Sequence, residues 1–169
     1  LGYETRFAKR IECGGGNIVL TEVVFRNAGP EDIGAMAELI SLIFAVEEDF
    51  TVDLDKQRQG LSLLLEYPAR ACLLVAEYKQ QIIGMCSAQL LVSTAEGGWK
   101  AIAEDVVVAA EYQGRGIGEK MLSVLQEWAV GQGVKRMDLL ADRDNTGGLK
   151  FYDKLRWKRT NLIGLQKKV

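Results

Sequence analysis

The chain has 169 residues, of which 48% are hydrophobic and 26% are charged, and these proportions are typical of one folded globular domain. It contains no histidine, which excludes Ser-His-Asp hydrolases, Cys-His hydrolases and HExxH metalloproteases. The formal net charge is −2, so no overall basic field attracts nucleic acid, and we expect no nucleic-acid partner.

The three cysteines, Cys13, Cys72 and Cys86, are odd in number and form no CxxC pair. This pattern predicts reduced thiols rather than disulfides or a zinc site, and we expect no bound metal. No apolar run reaches the length of a membrane span, and the first residues lack an apolar signal core. We therefore expect a cytoplasmic chain with no membrane partner.

The first 22 residues are compatible with two structures. Apolar residues alternate before the turn signal Gly14–Asn17, which fits a β-hairpin, and a mobile tail fits equally well. We assign residues 1–22 to an N-terminal extension and residues 23–169 to the folded domain.

A strand, two helices and three strands are predicted next. Val23–Arg26 is strand-like, and Gly29–Asp32 opens a helix that keeps apolar helical spacing to Phe44. A second helix is predicted over Asp55–Glu66, ended by Pro68. The three strands are predicted over Ala71–Tyr78, Ile82–Val92 and Trp99–Val108, and the short links between them predict antiparallel neighbours.

An acidic connection, residues 47–55, joins the two predicted helices. It fits a solvated loop or a segment that faces a substrate. Residues 1–84 carry 8 basic and 13 acidic side chains, whereas residues 85–169 carry 13 and 10. An anionic ligand is therefore favoured by the C-terminal half and a cationic one by the N-terminal half.

The last part of the chain predicts helix, strand, helix and strand. The elements are an amphipathic helix over Gly116–Gly131, a buried strand over Arg136–Ala141, a helix over Asn145–Leu155 and a closing strand over Trp157–Leu165. The whole order predicts an α+β domain with a single central sheet.

The segment between Val106 and Gly118 carries the clearest chemical signal. It joins a strand to a helix N-terminus through a glycine-rich turn, where backbone N–H groups and the helix dipole favour a phosphate. A GxGxxG motif starting at Gly114 would need glycine where Glu119 stands, and no GxxxxGK[ST] motif occurs. The turn is therefore neither a Rossmann nor a P-loop fingerprint.

The same turn contains the pattern QxxGxG, from Gln113 through Gly116 to Gly118. It is followed 27 residues later by NxxxxxFYxKxxW, from Asn145 to Trp157. Together the two motifs strongly resemble those of the GNAT superfamily of acetyl-CoA-dependent N-acetyltransferases, over about residues 23–165. The resemblance implies a mixed, mostly antiparallel central sheet flanked by about four helices, with acetyl-CoA as cosubstrate.

Most cofactor contacts that the resemblance implies are made by the predicted strand and turn. It implies that the main chain of Val106–Val108 pairs with the pantetheine arm, as an added strand would. It also implies that Asn145 bonds the pantetheine amide, that Lys154 reaches the adenosine 3′-phosphate, and that Tyr152 protonates the leaving sulfur. The residues implied to hold the pyrophosphate are Gln113, Gly114, Arg115, Gly116, Ile117 and Gly118.

Two neighbouring carboxylates are candidates for binding and deprotonating the acceptor amine. We assign Glu104 as the general base and Asp105 to substrate binding, while an outward, solvated acid remains the alternative. Strand alternation predicts that the two side chains point to opposite faces. The family often has glycine where this chain has Arg156, so the resemblance does not predict the conformation of the turn before Trp157.

The predicted function is transfer of acetyl from acetyl-CoA to a primary amine, by direct attack in a ternary complex. A non-catalytic acyl-CoA binding or sensing module is the alternative, and an acetyltransferase for protein N-termini differs only in its acceptor. The acidic N-terminal half favours a small cationic amine such as a polyamine or an aminoglycoside-like molecule. A homodimer is compatible with the sequence.

Overall fold

The computed structural model describes residues 22–44 and 51–167. The hairpin or tail predicted over residues 1–22 lies almost wholly outside the described residues. So do Glu47, Glu48 and Asp49 of the acidic connection. The chain divides into two compact units on either side of the Asp138–Leu139 bond, and each is described by itself. The domain boundary at residue 23 stays a prediction.

The described ranges contain five strands and four α-helices. The strands are β1 (Val24–Asn27), β2 (Ala71–Tyr78), β3 (Gln81–Ser93), β4 (Gly98–Val108) and β5 (Arg136–Leu139). The helices are α1 (Ile33–Phe44), α2 (Leu54–Glu66), α3 (Ile117–Gly131) and α4 (Thr146–Lys154), with short 3₁₀ turns at Pro30–Asp32 and Ala110–Tyr112. The predicted α+β class is confirmed.

The five strands form one open sheet in the order β1-β2-β3-β4-β5. The pairs β2–β3 and β3–β4 are antiparallel, as the short links predict. β1, which is joined to β2 through α1 and α2, also pairs with it antiparallel. β5 is shorter and less buried than predicted, since it ends at Leu139 and Leu140 is 76% exposed.

Helices cover both faces of this sheet. On one face, Met36 and Ile40 of α1 and Leu61 of α2 are buried in one apolar cluster with Met85 of β3 and Val107 of β4. On the other face, α3 approaches the sheet closely. A Cβ at Gly84 of β3 would lie 3.0 Å from Sδ of Met121 and 3.1 Å from the Val107 carbonyl oxygen, so a larger residue there would displace its neighbours slightly.

A buried carboxylate connects β1 to the start of α1. Asp32 is 5% exposed and accepts two bonds from the Arg26 guanidinium, at 2.7 and 2.9 Å, and a third from Gly29 N at 2.8 Å. The Arg26 Nε also donates to Glu77 of β2 at 2.8 Å. These charge-assisted bonds fix the chain direction as it leaves the edge strand.

The register of β3 and β4 changes at Asp105. Ser87 is opposite Glu104 and Met85 is opposite Val107, so β4 has one extra residue over this interval. Asp105 has φ 53°, in the left-handed region, which is the conformation of a β-bulge residue. The bulge interrupts the alternation of side chains along β4.

The closing strand predicted over Trp157–Leu165 is absent, and this prediction is wrong. Residues 155–167 contain no strand, and Leu162, Ile163 and Leu165 are 87%, 75% and 90% exposed. Apolar alternation creates a strand only where a neighbouring edge supplies hydrogen bonds, and the described residues show no such pairing for this segment.

The turn before Trp157 forms without glycine. Arg156 has φ 64°, and the N–H of Trp157 donates to the Tyr152 carbonyl at 3.0 Å. A non-glycine residue in the left-handed region is strained, but the helix C-terminus still closes.

Candidate functional site

The turn between β4 and α3 is shaped by two glycines with positive φ. Gly114 has φ 73° and Gly116 has φ 81°, and Gly116 is the N-cap residue of α3. Both conformations are in the left-handed region, where a residue without Cβ is favoured. These two residues therefore let the chain turn sharply into α3.

The first amides of α3 are available to a ligand by the geometry of helices. The bond from Lys120 N to the Gly116 carbonyl, at 3.0 Å, is the first of the helix. The N–H groups of Ile117 and Gly118 precede it, and the i→i−4 bonding pattern of a helix gives them no acceptor. Together with the positive end of the helix dipole, they form an environment suited to an anion.

Two polar side chains of the predicted cradle bond back to the turn itself. Gln113 Nε2 donates to the Val108 carbonyl at 2.9 Å, and an Arg115 amino group donates to the Glu111 carbonyl at 3.0 Å. These bonds hold the loop in its conformation. The groups of the turn that these bonds leave for an anion are thus mainly backbone groups.

The end of β4 presents main-chain groups on the edge away from β3. Ala109 N donates to the Ile83 carbonyl at 2.8 Å. Since antiparallel pairing alternates along a strand, the N–H and C=O of Val108 point to the opposite edge. On that edge, the contacts of the β5 region lie at the start of β4, where Lys135 N bonds the Trp99 carbonyl and Lys100 pairs with Asp138 at 3.1 Å.

The remaining predicted site residues belong to the second unit. Asn145 is the N-cap of α4, and its Oδ1 accepts from Gly148 N at 2.8 Å. Tyr152 is half-buried, with its ring 5.3 Å from Phe151 and 6.2 Å from Trp157. Lys154 is exposed in the last turn of α4.

A cavity of about 730 Å³ lies between α1, α2 and the bulged part of the sheet. Asp105 and Gln89 are among the residues that line it, whereas Glu104 is not. Glu104 is exposed and accepts a bond from Gln89 Nε2 at 2.8 Å. Asp105 is half-buried, and its carboxylate is 3.4 Å from the Ser87 hydroxyl.

The expectation that Glu104 and Asp105 point to opposite faces is wrong. Their carboxylates contact Gln89 and Ser87, which are two residues apart on β3 and therefore on the same face. The left-handed backbone at Asp105 is the cause, because a bulge directs two consecutive side chains to one side.

The cavity lining contains polar residues that no sequence pattern singled out, among them Gln57 on α2. Gln57 is 8% exposed and lines the cavity, and neither atom of its side-chain amide has a hydrogen-bond partner. A signal for it existed, since Gln57 is four residues before Leu61 and shares its helix face. Core packing would favour an apolar residue at this position, so a glutamine there indicates a role other than packing.

The described cysteines are unsuited to covalent catalysis. Cys72 and Cys86 are both buried free thiols. Burial raises the pKa of Cys72 to about 12 and raises the pKa of Cys86 as well, where nearby Cys72 and Asp105 add to the effect. A thiol of this kind provides almost no thiolate near neutral pH.

The described residues contain no group of three or more metal-ligating side chains in one place. Across the same ranges, no helix combines the length and the apolar character that crossing a membrane requires.

Comparison with curated proteins finds a relative that matches over a short segment. The chain is 37% identical over 51 residues to a protein of Bacillus subtilis (strain 168) described as the uncharacterized N-acetyltransferase YobR. The match covers 30% of this chain and only 21% of that relative.

Solved structures resemble the chain over most of its length. An aminoglycoside acetyltransferase from an uncultured soil metagenomic sample, in complex with sisomicin, has 18% identity and a TM-score of 0.71, covering 88% of this chain and 97% of that one. A predicted acetyltransferase from Clostridium acetobutylicum, crystallised with acetyl-CoA, also has 18% identity and a TM-score of 0.71, covering 85% and 96%. These likenesses show a shared fold.

The profile of the family described as "Acetyltransferase (GNAT) family" matches residues 36–156. This range contains the β4–α3 turn, both carboxylates and the predicted second motif up to Arg156. The chain therefore belongs to the acetyltransferase (GNAT) family.

Proposed function

We propose that the chain transfers an acetyl group from acetyl-CoA to the primary amine of a small molecule. The observation that carries this proposal is the β4–α3 turn. Its left-handed Gly114 and Gly116 turn the chain into α3 a few residues after the end of β4. This geometry fits a pyrophosphate, because backbone N–H groups bind an anion without a Cβ between them.

The outward edge of β4 supports the binding of an extended pantetheine arm. Val108 directs its N–H and C=O away from β3, and Val106, two residues earlier on the strand, is the second residue proposed to pair with the arm. Asn145 and Lys154 are proposed to contact the pantetheine amide and the adenosine 3′-phosphate. Bound acetyl-CoA supplies the acetyl group as an activated thioester.

The two carboxylates are proposed to divide the work on the amine. Asp105 lines the cavity and holds the protonated amine by charge. Glu104 is exposed beside Gln89, which also lines the cavity, so it is placed to take the amine proton through a water. The acceptor amine must be neutral before it can attack a carbonyl.

The leaving sulfur and the carbonyl oxygen are proposed to meet two further groups. Tyr152 donates its hydroxyl proton to the departing thiolate, and a backbone N–H near Val108 stabilises the carbonyl oxygen. Both roles are consistent with direct attack in a ternary complex, which leaves no covalent acyl-enzyme. The raised pKa values of the buried thiols also oppose an acyl-cysteine.

A small-molecule acceptor is favoured by the partly open cavity between α1 and α2, whose volume of about 730 Å³ suits a ligand of modest size. The sisomicin complex of a protein with the same fold is consistent with such an acceptor. A non-catalytic acyl-CoA module and an acetyltransferase for peptide N-termini are the competing functions.

Thiol release from acetyl-CoA separates the three functions. We expect release above the rate of hydrolysis with at least one small amine in a panel of monoamines, polyamines, aminoglycosides and short peptides. Coenzyme A binding by calorimetry without release for any amine would indicate the non-catalytic module. Release with peptides alone would indicate the peptide acetyltransferase.

A further inference from the structure

We infer that Gln57 selects the acceptor by hydrogen-bonding a neutral polar group on it, an inference that rests on the proposed function. The side chain is 8% exposed, lines the cavity, and has no hydrogen-bond partner for either amide atom. Buried polar groups are nearly always bonded in folded proteins. Both amide atoms are buried beside the cavity, so a ligand reaches them when the Gln57 side chain turns toward the cavity, and it then supplies the missing donor and acceptor.

The charges of the cavity argue for an acceptor with a single positive charge. Asp105 and Arg70 are the two charged side chains among its described lining residues, and their formal charges cancel. A polyamine would bring several cations to a lining that offers one carboxylate. The amine of a monocation can be held by Asp105 while the rest of the molecule needs no counter-charge.

The apolar part of the lining indicates what the rest of the acceptor, apart from its amine and its polar group, is made of. Ile40, Leu61, Leu64 and Leu90 contribute aliphatic surface, and Phe44 adds an aromatic ring. An apolar body fills this space, and a hydroxyl or carboxamide on it reaches Gln57. The structure thus assigns as acceptor a primary amine with an apolar body and one uncharged hydrogen-bonding group.

Gln57→Met tests this assignment, because methionine has a similar length and shape but no hydrogen-bonding amide. Gln59→Met is the matched control, since Gln59 is an exposed glutamine of the same helix. The probes are pairs of amines that differ in the polar group: tyramine with phenethylamine, leucinamide with isoamylamine, and spermidine as a polycation. Acetyl-CoA-dependent thiol release gives kcat/KM for each.

We expect the wild type to prefer the polar member of at least one pair by about tenfold or more, the range for a buried hydrogen bond made or lost. Gln57→Met should remove that preference and Gln59→Met should keep it. The melting temperature of Gln57→Met should equal or exceed that of the wild type, because no bond of the folded protein is lost. A lowered melting temperature with unchanged preference would assign Gln57 a structural role and overturn the inference.

Other outcomes separate this inference from the proposed function. Acetylation of the amines with no preference in any pair, or with spermidine as the best acceptor, would overturn the role of Gln57 and leave the proposed function standing. Acetylation of none of these amines, nor of any small amine in the wider panel, would contradict the proposed function. The role of Gln57 would then be tested by the rise in melting temperature that a polar amine causes. A rise in the wild type that is lost in Gln57→Met supports the inference, and the absence of any such rise overturns it.

Discussion

Asp105 has a left-handed backbone, and this single conformation decides where two carboxylates point. With regular alternation, Glu104 and Asp105 would lie on opposite faces of β4. The bulge instead directs both to the side of Ser87 and Gln89, with Asp105 in the cavity lining. A pair of acids next to each other can thus serve the same amine in different ways.

Substituting the two acids separately should affect different kinetic parameters. Asp105→Asn should raise KM for a cationic amine with a smaller effect on kcat, because it removes the charge that holds the amine. Asparagine also tolerates the left-handed backbone. Glu104→Gln should lower kcat and shift the pH–rate profile to higher pH, because the amine must then lose its proton to bulk water. The reverse pattern would make Asp105 the base.

Removal of the Tyr152 hydroxyl should slow the chemical step alone. Tyr152→Phe keeps a ring that can pack on Phe151 and Trp157, so coenzyme A affinity should be unchanged. We expect kcat to fall by roughly 10²-fold, at the lower end of contributions from general acids. Tyr78→Phe, on β2, serves as the control. A normal kcat for Tyr152→Phe would leave the tyrosine as a packing residue.

The buried Asp32 should make folding stability depend on pH in the acid range. Its bonds to the Arg26 guanidinium, and a further one from Gly29 N, hold its pKa below the usual value, although burial opposes this. Its contribution is therefore present above the unfolded-state pKa of about 3.9 and is lost as pH falls through the lower folded-state pKa.

Asp32→Asn should lower the free energy of unfolding at pH 7 by about 2 kcal/mol, as for hydrogen bonds to charged groups. The difference from the wild type should shrink as pH falls through the folded-state pKa of Asp32. Denaturant titrations at several pH values measure it. Asp55→Asn is the control, because Asp55 makes an exposed ion pair with Arg58 that contributes little. Equal stabilities of wild type and Asp32→Asn at pH 7 would contradict the role of this carboxylate.

For the helices and strands, the local sequence pattern predicts an element well when its neighbours are close in the chain. It does not predict which distant strand edge a segment will pair with. The stripe Ile117, Met121, Leu122 and Leu125 predicts α3, and all four residues are buried. The closing strand failed because its alternation says nothing about the edge it would pair with. The site follows the same division: the glycine turn is local and was predicted, whereas the bulge and Gln57 depend on packing between β3, β4 and α2.

At the scale of the whole molecule, charge is divided unevenly along the chain. The acidic excess lies in residues 1–84. Within the acidic connection, Asp53 caps α2 by accepting from Lys56 N at 3.2 Å, and Asp55 pairs with Arg58 at 3.1 Å. These two acids therefore have local structural roles, and long-range attraction of an amine depends on the acids that precede them.

Neutralising Glu47, Glu48 and Asp49 together should test that attraction. We expect KM for cationic acceptors to rise with little change in kcat, and the loss to shrink at high salt, because exposed charges are screened. Neutralising three exposed acids outside the connection, Glu38, Glu66 and Glu127, serves as the control for net charge. An unchanged KM in the triple variant would reduce the segment to a solvated loop.

Calorimetric titration with coenzyme A tests the central claim, that the β4–α3 turn is the cofactor cradle, most directly. Gly118 is the better position for the test because it lies inside α3, whereas Gly116 has φ 81° and a side chain there would strain the turn. We predict that the wild type binds coenzyme A and that folded Gly118→Val does not, since its Cβ substituents obstruct the approach of the pyrophosphate to the helix amides. Unchanged affinity in a folded Gly118→Val protein would contradict the account.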